Sequence, residues 1–415
     1  MKMVILLKIF VEEKMVYMRI PPLHIFYLLS KNFLRVFYYF SADVLDCFCL
    51  TTPKLRSNKM PQLSKKSFPF FFCLLSFFIL LLSCKRATEP LVKDAAKRNL
   101  DTSSHSFAWQ IDTLPGTVFD ISGLDENNVW LVGEFSRSNS QTGETEKFNY
   151  GYWNGKTWKL QSILKEGPYM GIHVFNKNNI WLTDGGMIHW NGKYWKLYHP
   201  WNMGILNETE GGVTKVWGLD SSNVFFIGLT GTIIHFDGYT FKKMESKTNV
   251  NLTHIYGIDE NHIWVVGDDR GLHGGHSVLL FFNGSSWKVK YHYRYNEGPP
   301  FEGGPIGQYR GIWADKDSII MGSGHGFWHE SIITGKGRIE PFSFHPIGAE
   351  EKIFARNRND LFMIGHFYTL HHYNGKSWKR YISFLRKNDN FYAGSFVSDD
   401  CVFVGGNRFV YRGYR

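Results

Sequence analysis

Beyond position 107, apolar residues fall into short runs rich in Val, Ile, Phe and Trp, each cut by Gly, Asn, Asp or Ser. The clearest stretch spans 216–243, VWGLDSSNVFFIGLTGTIIHFDGYTFKK. Positions 216–219 make one apolar run and Asp220-Ser221-Ser222-Asn223 a turn. A second run covers 224–228, a third 233–236, and Asp237-Gly238 turns the chain into 240–243. Short β-branched and aromatic runs separated by such turn residues predict antiparallel strands joined by hairpins.

The pattern recurs. Units begin at 121, 172, 216, 255, 312, 353 and 393, and uninterrupted units lie about 40 residues apart, the spacing of four-stranded propeller blades. Each unit reads as an inner strand a, an Asp- or Asn-containing turn, strand b ending near Gly, strand c, a hairpin, and strand d. The fifth unit lacks the Asn-Gly hairpin with its following Trp. The seventh carries a, b and c and then the chain stops. Residues 107–114, with Trp109 at the Trp position, match the missing d strand. The expectation is an all-β, seven-bladed β-propeller over 107–415, closed by strand 107–114 completing the last blade and so removing two exposed sheet edges.

Most recurring residues have a structural reading. Trp158, Trp195, Trp287 and Trp378 share one repeat position, where packing between blades needs a large flat side chain. Asn-Gly pairs at 154, 191, 283 and 374 supply positive φ for tight hairpins. Asp125, Asp220 and Asp259 fit Asx turns better than calcium loops. Cys401 sits in an apolar run and reads as a buried small hydrophobe. His273 and His276, with Asp268 and His292 near in sequence, are too loose a set for a zinc motif, and no metal or cofactor is expected.

Charge changes the picture at the front of the chain. The net charge is +10, but residues 1–59 and 60–100 each hold five more basic than acidic residues, so 101–415 is neutral. The repeat region therefore has no nucleic-acid signature. All 14 Trp lie beyond residue 100, which assigns the large core to the repeats. Lys65-Lys66, the apolar run 68–82 and Leu81-Leu82-Ser83-Cys84 form a secretory-signal pattern too short for a comfortable span. Leu81–Cys84 resembles the bacterial lipobox. The resemblance implies lipidation of Cys84, a tether over 85–106 and a place in the bacterial cell envelope, periplasmic or surface-facing. Because such a signal belongs at a start, Met60 is the expected initiator and 1–59 an upstream extension; a membrane-associated segment is the alternative.

Over 107–415 the repeats resemble the propellers of uncharacterised bacterial envelope lipoproteins. Asn154-Gly155-Lys156-Thr157-Trp158 also resembles the Asp-box hairpin of sialidase-like and photosystem-assembly-type propellers, although Asn replaces Asp and the spacer before Gly is missing. Resemblance to WD40 propellers is looser, with no Trp-Asp dipeptide closing the units. Such likeness concerns architecture and leaves activity open.

Insertions at 135–148, 199–213, 268–277, 291–308 and 335–350 all fall in d–a or b–c connections, which share one face. Function tends to ride on variable loops over a rigid scaffold. Candidate ligand-binding residues on that face are Glu134, Asp184, Trp201, Asp268, Tyr295, Arg310, His325 and His366, with Tyr293 and Tyr309 as further aromatics. Two readings follow: a non-catalytic, monomeric binding or assembly module for a glycan or protein, or a carbohydrate-active enzyme. The second needs a carboxylate pair flanking the scissile bond. The absence of a Gly-x-Ser-x-Gly, phosphate-loop or dinucleotide motif and the scarcity of arginines at the mouth favour the first.

Overall fold

The computed structural model describes residues 5–11, 14–20, 102–165, 167–269, 275–294, 304–323, 326–340, 350–366, 369–381 and 389–415. Strands β1 (Ile5–Val11) and β2 (Lys14–Ile20) form an antiparallel hairpin in a separate unit, Met1–Lys93. Residues 60–84, Cys84 among them, lie outside the described residues, as do Tyr295 and His325. Among the described residues no helix is long and apolar enough to cross a membrane.

The second unit, Asp94–Arg415, is an all-β propeller whose strands are antiparallel to their neighbours. In the undecorated repeat, β11 (Val213–Asp220), β12 (Asn223–Gly228), β13 (Ile233–Phe236) and β14 (Phe241–Met244) pair in chain order. The turns follow the sequence logic. Asp125, Asp220 and Asp259 each accept the backbone N–H two residues on. Gly155, Gly192, Gly284 and Gly375 take φ between 86° and 94°, a region that other residues enter only at a cost.

Among the described residues the propeller has six blades, which corrects the expected seven. Five are four-stranded sheets, and the sixth is a single six-stranded sheet. That sheet runs β27 (Phe391–Phe396), β28 (Cys401–Tyr414), β3 (Ala108–Asp125), β4 (Asn128–Ser138), β5 (Thr145–Trp153), β6 (Trp158–Gln161). The cause is the continuity of β3 and β28. Pro115-Gly116 and Gly405-Gly406 read as breaks, yet both pairs lie inside strands. The ladder is irregular there, passing from Thr113–Phe409 to Thr117–Asn407, which accommodates a proline without an N–H. First and last repeats thus merge into one blade, with Tyr411 opposite Ile111 and Gly413 opposite Trp109 joining the two ends of the domain.

Tryptophans bind three of the sheets to the one before. Trp287 is 1% exposed and its ring meets Phe225 of the preceding blade at 6.0 Å. Half-buried Trp195 meets Tyr150 at 5.6 Å, and Trp378 meets Phe327 at 5.2 Å. Trp158 packs on Phe403 within the six-stranded sheet. Cys401 is fully buried and its thiol is pushed up to about 12 by loss of water.

Candidate functional site at the channel mouth

The inner strands share a device that places polar side chains on the propeller axis. Register shifts interrupt pairing at Val118/Asp120, Val213/Lys215, Leu252/His254, Glu350/Lys352 and Phe391/Ala393. A bulge adds one residue and re-aims the next side chain. In four of these strands that next residue is Asp120, Lys215, His254 or Lys352, directly before the buried Ile121, Val216, Ile255 or Ile353.

These four meet on the axis. Lys352 Nζ donates to Asp120 Oδ1 at 2.6 Å, and Lys215 Nζ lies 3.5 Å from Oδ2. Lys215 also donates to the Met170 carbonyl at 2.6 Å and the Phe119 carbonyl at 3.3 Å. Burial alone would raise the Asp120 carboxyl; the two ammonium groups outweigh it and hold it at about 2. His254 accepts the Ile312 N–H on Nδ1 at 3.1 Å. Burial, reinforced by Lys352, lowers its imidazole to about 3.

Two cavities border this cluster. A mouth cavity of about 300 Å³ is walled by Met170, Leu229, Leu252 and Tyr392, with Lys215, Arg310 and Lys352 supplying charge. Below it, a cavity of about 190 Å³ is lined by Asp120, His173, Trp217 and Tyr256 among others. The mouth opens on the face of the b–c connections: Leu229 N–H donates to the Gly212 carbonyl just before β11, and Thr230 N–H donates to Asn251 Oδ1.

The structure sorts the sequence candidates into groups. Arg310 and Asp268 form a buried pair, Nε to Oδ2 at 3.3 Å, and Arg310 also donates to Gln308 at 2.7 Å. His366 packs against Tyr392 with ring centres 5.4 Å apart, which brings it beside the same mouth. Asp184 and Trp201 line a separate cavity of about 260 Å³ with Tyr169 and Leu197, and Asp184 is paired with Lys165. Glu134 is exposed and lines a fourth cavity, of about 170 Å³. Tyr293 and Tyr309 are core residues rather than exposed platforms. His276 Nδ1 and His292 Nε2 lie 2.9 Å apart, but no group of three His, Cys, Asp or Glu arranged to hold a metal occurs among the described residues.

Asp120, Lys215, His254 and Lys352 were not among the candidates. Their signal is present in the chain: each immediately precedes the first residue of its repeat. Superposing the repeats by that residue would have exposed the column.

No protein-family model matches the chain, and no curated protein matches it. Solved structures similar to it are β-propellers. YCF48 bound to D1 peptide aligns with TM-score 0.54 at 16% identity, covering 74% of this chain and 97% of that one. The WD40 propeller domain of Doa1 gives TM-score 0.53 at 14% identity, over 75% of this chain and 98% of that one. Streptogramin B lyase gives 0.52 at 13%, over 76% and 99%. At these identities the likeness shows the fold and nothing of the chemistry.

Proposed function

We propose that the propeller is a non-catalytic binding or assembly module that takes a peptide segment of a partner protein at the channel mouth. The observation that carries this reading is the mouth cavity itself. Its apolar walls, Met170, Leu229, Leu252 and Tyr392, surround a few convergent polar groups, the composition of a ligand pocket. It opens on the loop-bearing face, where a rigid scaffold displays variable chain. A propeller of the same fold, YCF48, has been solved bound to a peptide, which supports the class of ligand without transferring any residue.

The carboxylates favour binding over hydrolysis. Asp184 is paired with Lys165 and Asp268 with Arg310, while Glu134 and Asp184 line different cavities. A glycosidase would need two carboxylates facing one bond. The lipobox-like Leu81-Leu82-Ser83-Cys84 supports tethering of this module to the cell envelope by a lipid on Cys84. Loss of membrane fractionation in Cys84→Ala would test the tether; unchanged fractionation would remove it.

Selection of random peptides on the full chain tests the binding reading. Selected peptides should lose about tenfold or more in affinity on Leu229→Lys and on Tyr392→Ala, as expected when a central contact is removed. Binding indifferent to both variants, or binding of glycans alone, would overturn it.

A further inference from the structure

The cavity of about 260 Å³ on the loop-bearing face already holds a cation of the chain's own. Asp184 ends β8 (Asn179–Asp184), and the strand delivers its carboxylate to the cavity wall. The Lys165 ammonium pairs with that carboxylate and lies 5.5 Å from the Tyr169 ring centre, within reach of a cation–π contact. Half-buried Trp201 and the aliphatic Leu164 and Leu197 add to the wall. Neither ring has a donor to give. The Tyr169 hydroxyl donates to the Ile163 carbonyl at 2.7 Å, and the Trp201 indole N–H to the Glu210 carbonyl at 3.2 Å. Asp184 is the one carboxylate among the described residues that line the space. Electron-rich rings around a single carboxylate suit a cationic group.

Lys165 is a replaceable tenant. Its side chain is 45% exposed and that of Asp184 26%, so water screens the pair and the lysine is held weakly. Burial lowers its ammonium from the ordinary value, because the site withdraws water from it. The side chain can swing out while the backbone stays. The Lys165 carbonyl accepts from Asn149 Nδ2 at 2.8 Å, and its N–H donates to the Ile163 carbonyl at 2.6 Å. This cavity also adjoins the mouth. Tyr169 lines the one and Met170 the other, so a peptide anchored at the mouth need cross only these neighbouring residues to reach Asp184.

We propose that this pocket takes an arginine side chain of the bound peptide, whose guanidinium replaces the Lys165 ammonium on Asp184. This rests on the peptide-binding reading above and adds a contact that reads charge. Arginine suits the space better than lysine. Guanidinium is more weakly hydrated than ammonium, and it can meet a carboxylate with two N–H groups while lying against aromatic rings. Its methylene stem would cover Leu164 and Leu197, which are 58% and 50% exposed. The competing account is purely structural: Lys165 and Asp184 would only clasp the loop after β6 to the end of β8. The two accounts diverge at Lys165. As a tenant, its removal should open the carboxylate to ligand; as a clasp, its removal should only loosen the loop.

Ligand-observed NMR titration of the full chain decides between them. The probes are N-acetylarginine amide, N-acetyllysine amide and, as the neutral control, N-acetylnorleucine amide. The arginine probe should bind most tightly, the lysine probe less so, and the control not at all. Asp184→Asn should weaken the arginine probe about tenfold, and Lys165→Met should tighten it several-fold. If Asp184→Asn fails to fold, Lys165→Met and Lys165→Arg carry the test; the second installs a stronger tenant and should weaken the probe. Control binding equal to arginine, lysine ahead of arginine, indifference to Asp184→Asn, or no binding even to Lys165→Met would each overturn the pocket. Selected peptides that depend on Leu229 and Tyr392 but ignore both Asp184→Asn and Arg-to-norleucine exchange would sink the pocket alone. No mouth-dependent peptide at all would sink the binding reading, while the single-residue probes still test the pocket.

Discussion

Arg412 grips Asp112 through Nε at 2.7 Å and Nη2 at 2.8 Å, joining positions 300 residues apart in sequence. The same carboxylate accepts the Trp158 indole N–H at 2.9 Å, and the guanidinium lies 4.2 Å from the Trp153 ring centre. The pair lies in the ladder between β3 and β28, where the two ends of the domain meet, and it is mostly buried. Removing one partner of a mostly buried pair costs on the order of 3 kcal/mol, because the other charge is stranded. Arg412→Met should therefore lower the urea midpoint sharply. Arg412→Lys, which keeps the charge but loses the two-pronged grip, should lower it less. Equal stability of all three proteins would show that closure does not depend on this contact.

Packing between blades should be uneven. Trp287 is 1% exposed and lies in a cluster with Phe225, Leu252 and Ile255, whereas Trp195 and Trp378 are only half-buried. Trp287→Ala should cost about 3–5 kcal/mol through lost burial and the cavity left behind. The same change at Trp195 should cost clearly less, since part of that ring already faces water. Chemical denaturation of the two variants measures the difference; the reverse order would contradict this view of the core.

Acid should unfold the propeller in two overlapping stages. Burial, with help from Arg380, lowers His371 from its ordinary 6.5 to about 3, and burial lowers His173 and His189 to about 4. Their folded values lie below their unfolded ones, so the unfolded chain takes up protons first and stability falls as pH drops below about 6.5. Asp120 and Asp360 follow. Burial would raise both, but Lys215 and Lys352 hold the first at about 2, and His372 and Arg415 hold the second at about 2. The stability these carboxylates contribute is present above about pH 4 and is lost as pH falls toward 2. Urea midpoints measured from pH 8 to 3 should decline from about 6.5 downward, less steeply in His371→Leu. A flat profile down to pH 4 would contradict the buried neutral imidazoles.

The turn chemistry of this fold was legible because it is local. Asn154-Gly155 and Asp220-Ser221-Ser222 fix their own backbone, so their meaning survives without knowing the partners. The tryptophans were legible because one repeat position recurs, and Trp287 packs as that position implied. Blade number was not. Pro115-Gly116 looks like a break, and only the ladder with β28 and β4 shows the chain running straight through it. On the loop-bearing face, Arg310, Asp268 and His366 do gather near the mouth, because strand ends converge on the axis. Glu134 and the pair Asp184 and Trp201 do not, since each sits over its own blade. Asp120, Lys215 and Lys352 carry no local pattern, because each inner strand holds only one of them; their shared place before the first residue of a repeat shows only when the repeats are aligned with one another.

Photo-crosslinking tests the placement of binding at the mouth most directly. Benzoylphenylalanine would replace either Leu229, at the rim of the cavity, or Tyr239, which is 92% exposed in the β13–β14 turn of the opposite face. Peptides selected on the full chain would then be irradiated with each variant. Crosslinks are expected from position 229 and none from 239. Crosslinks from 239 alone, or from both at equal yield, would contradict it.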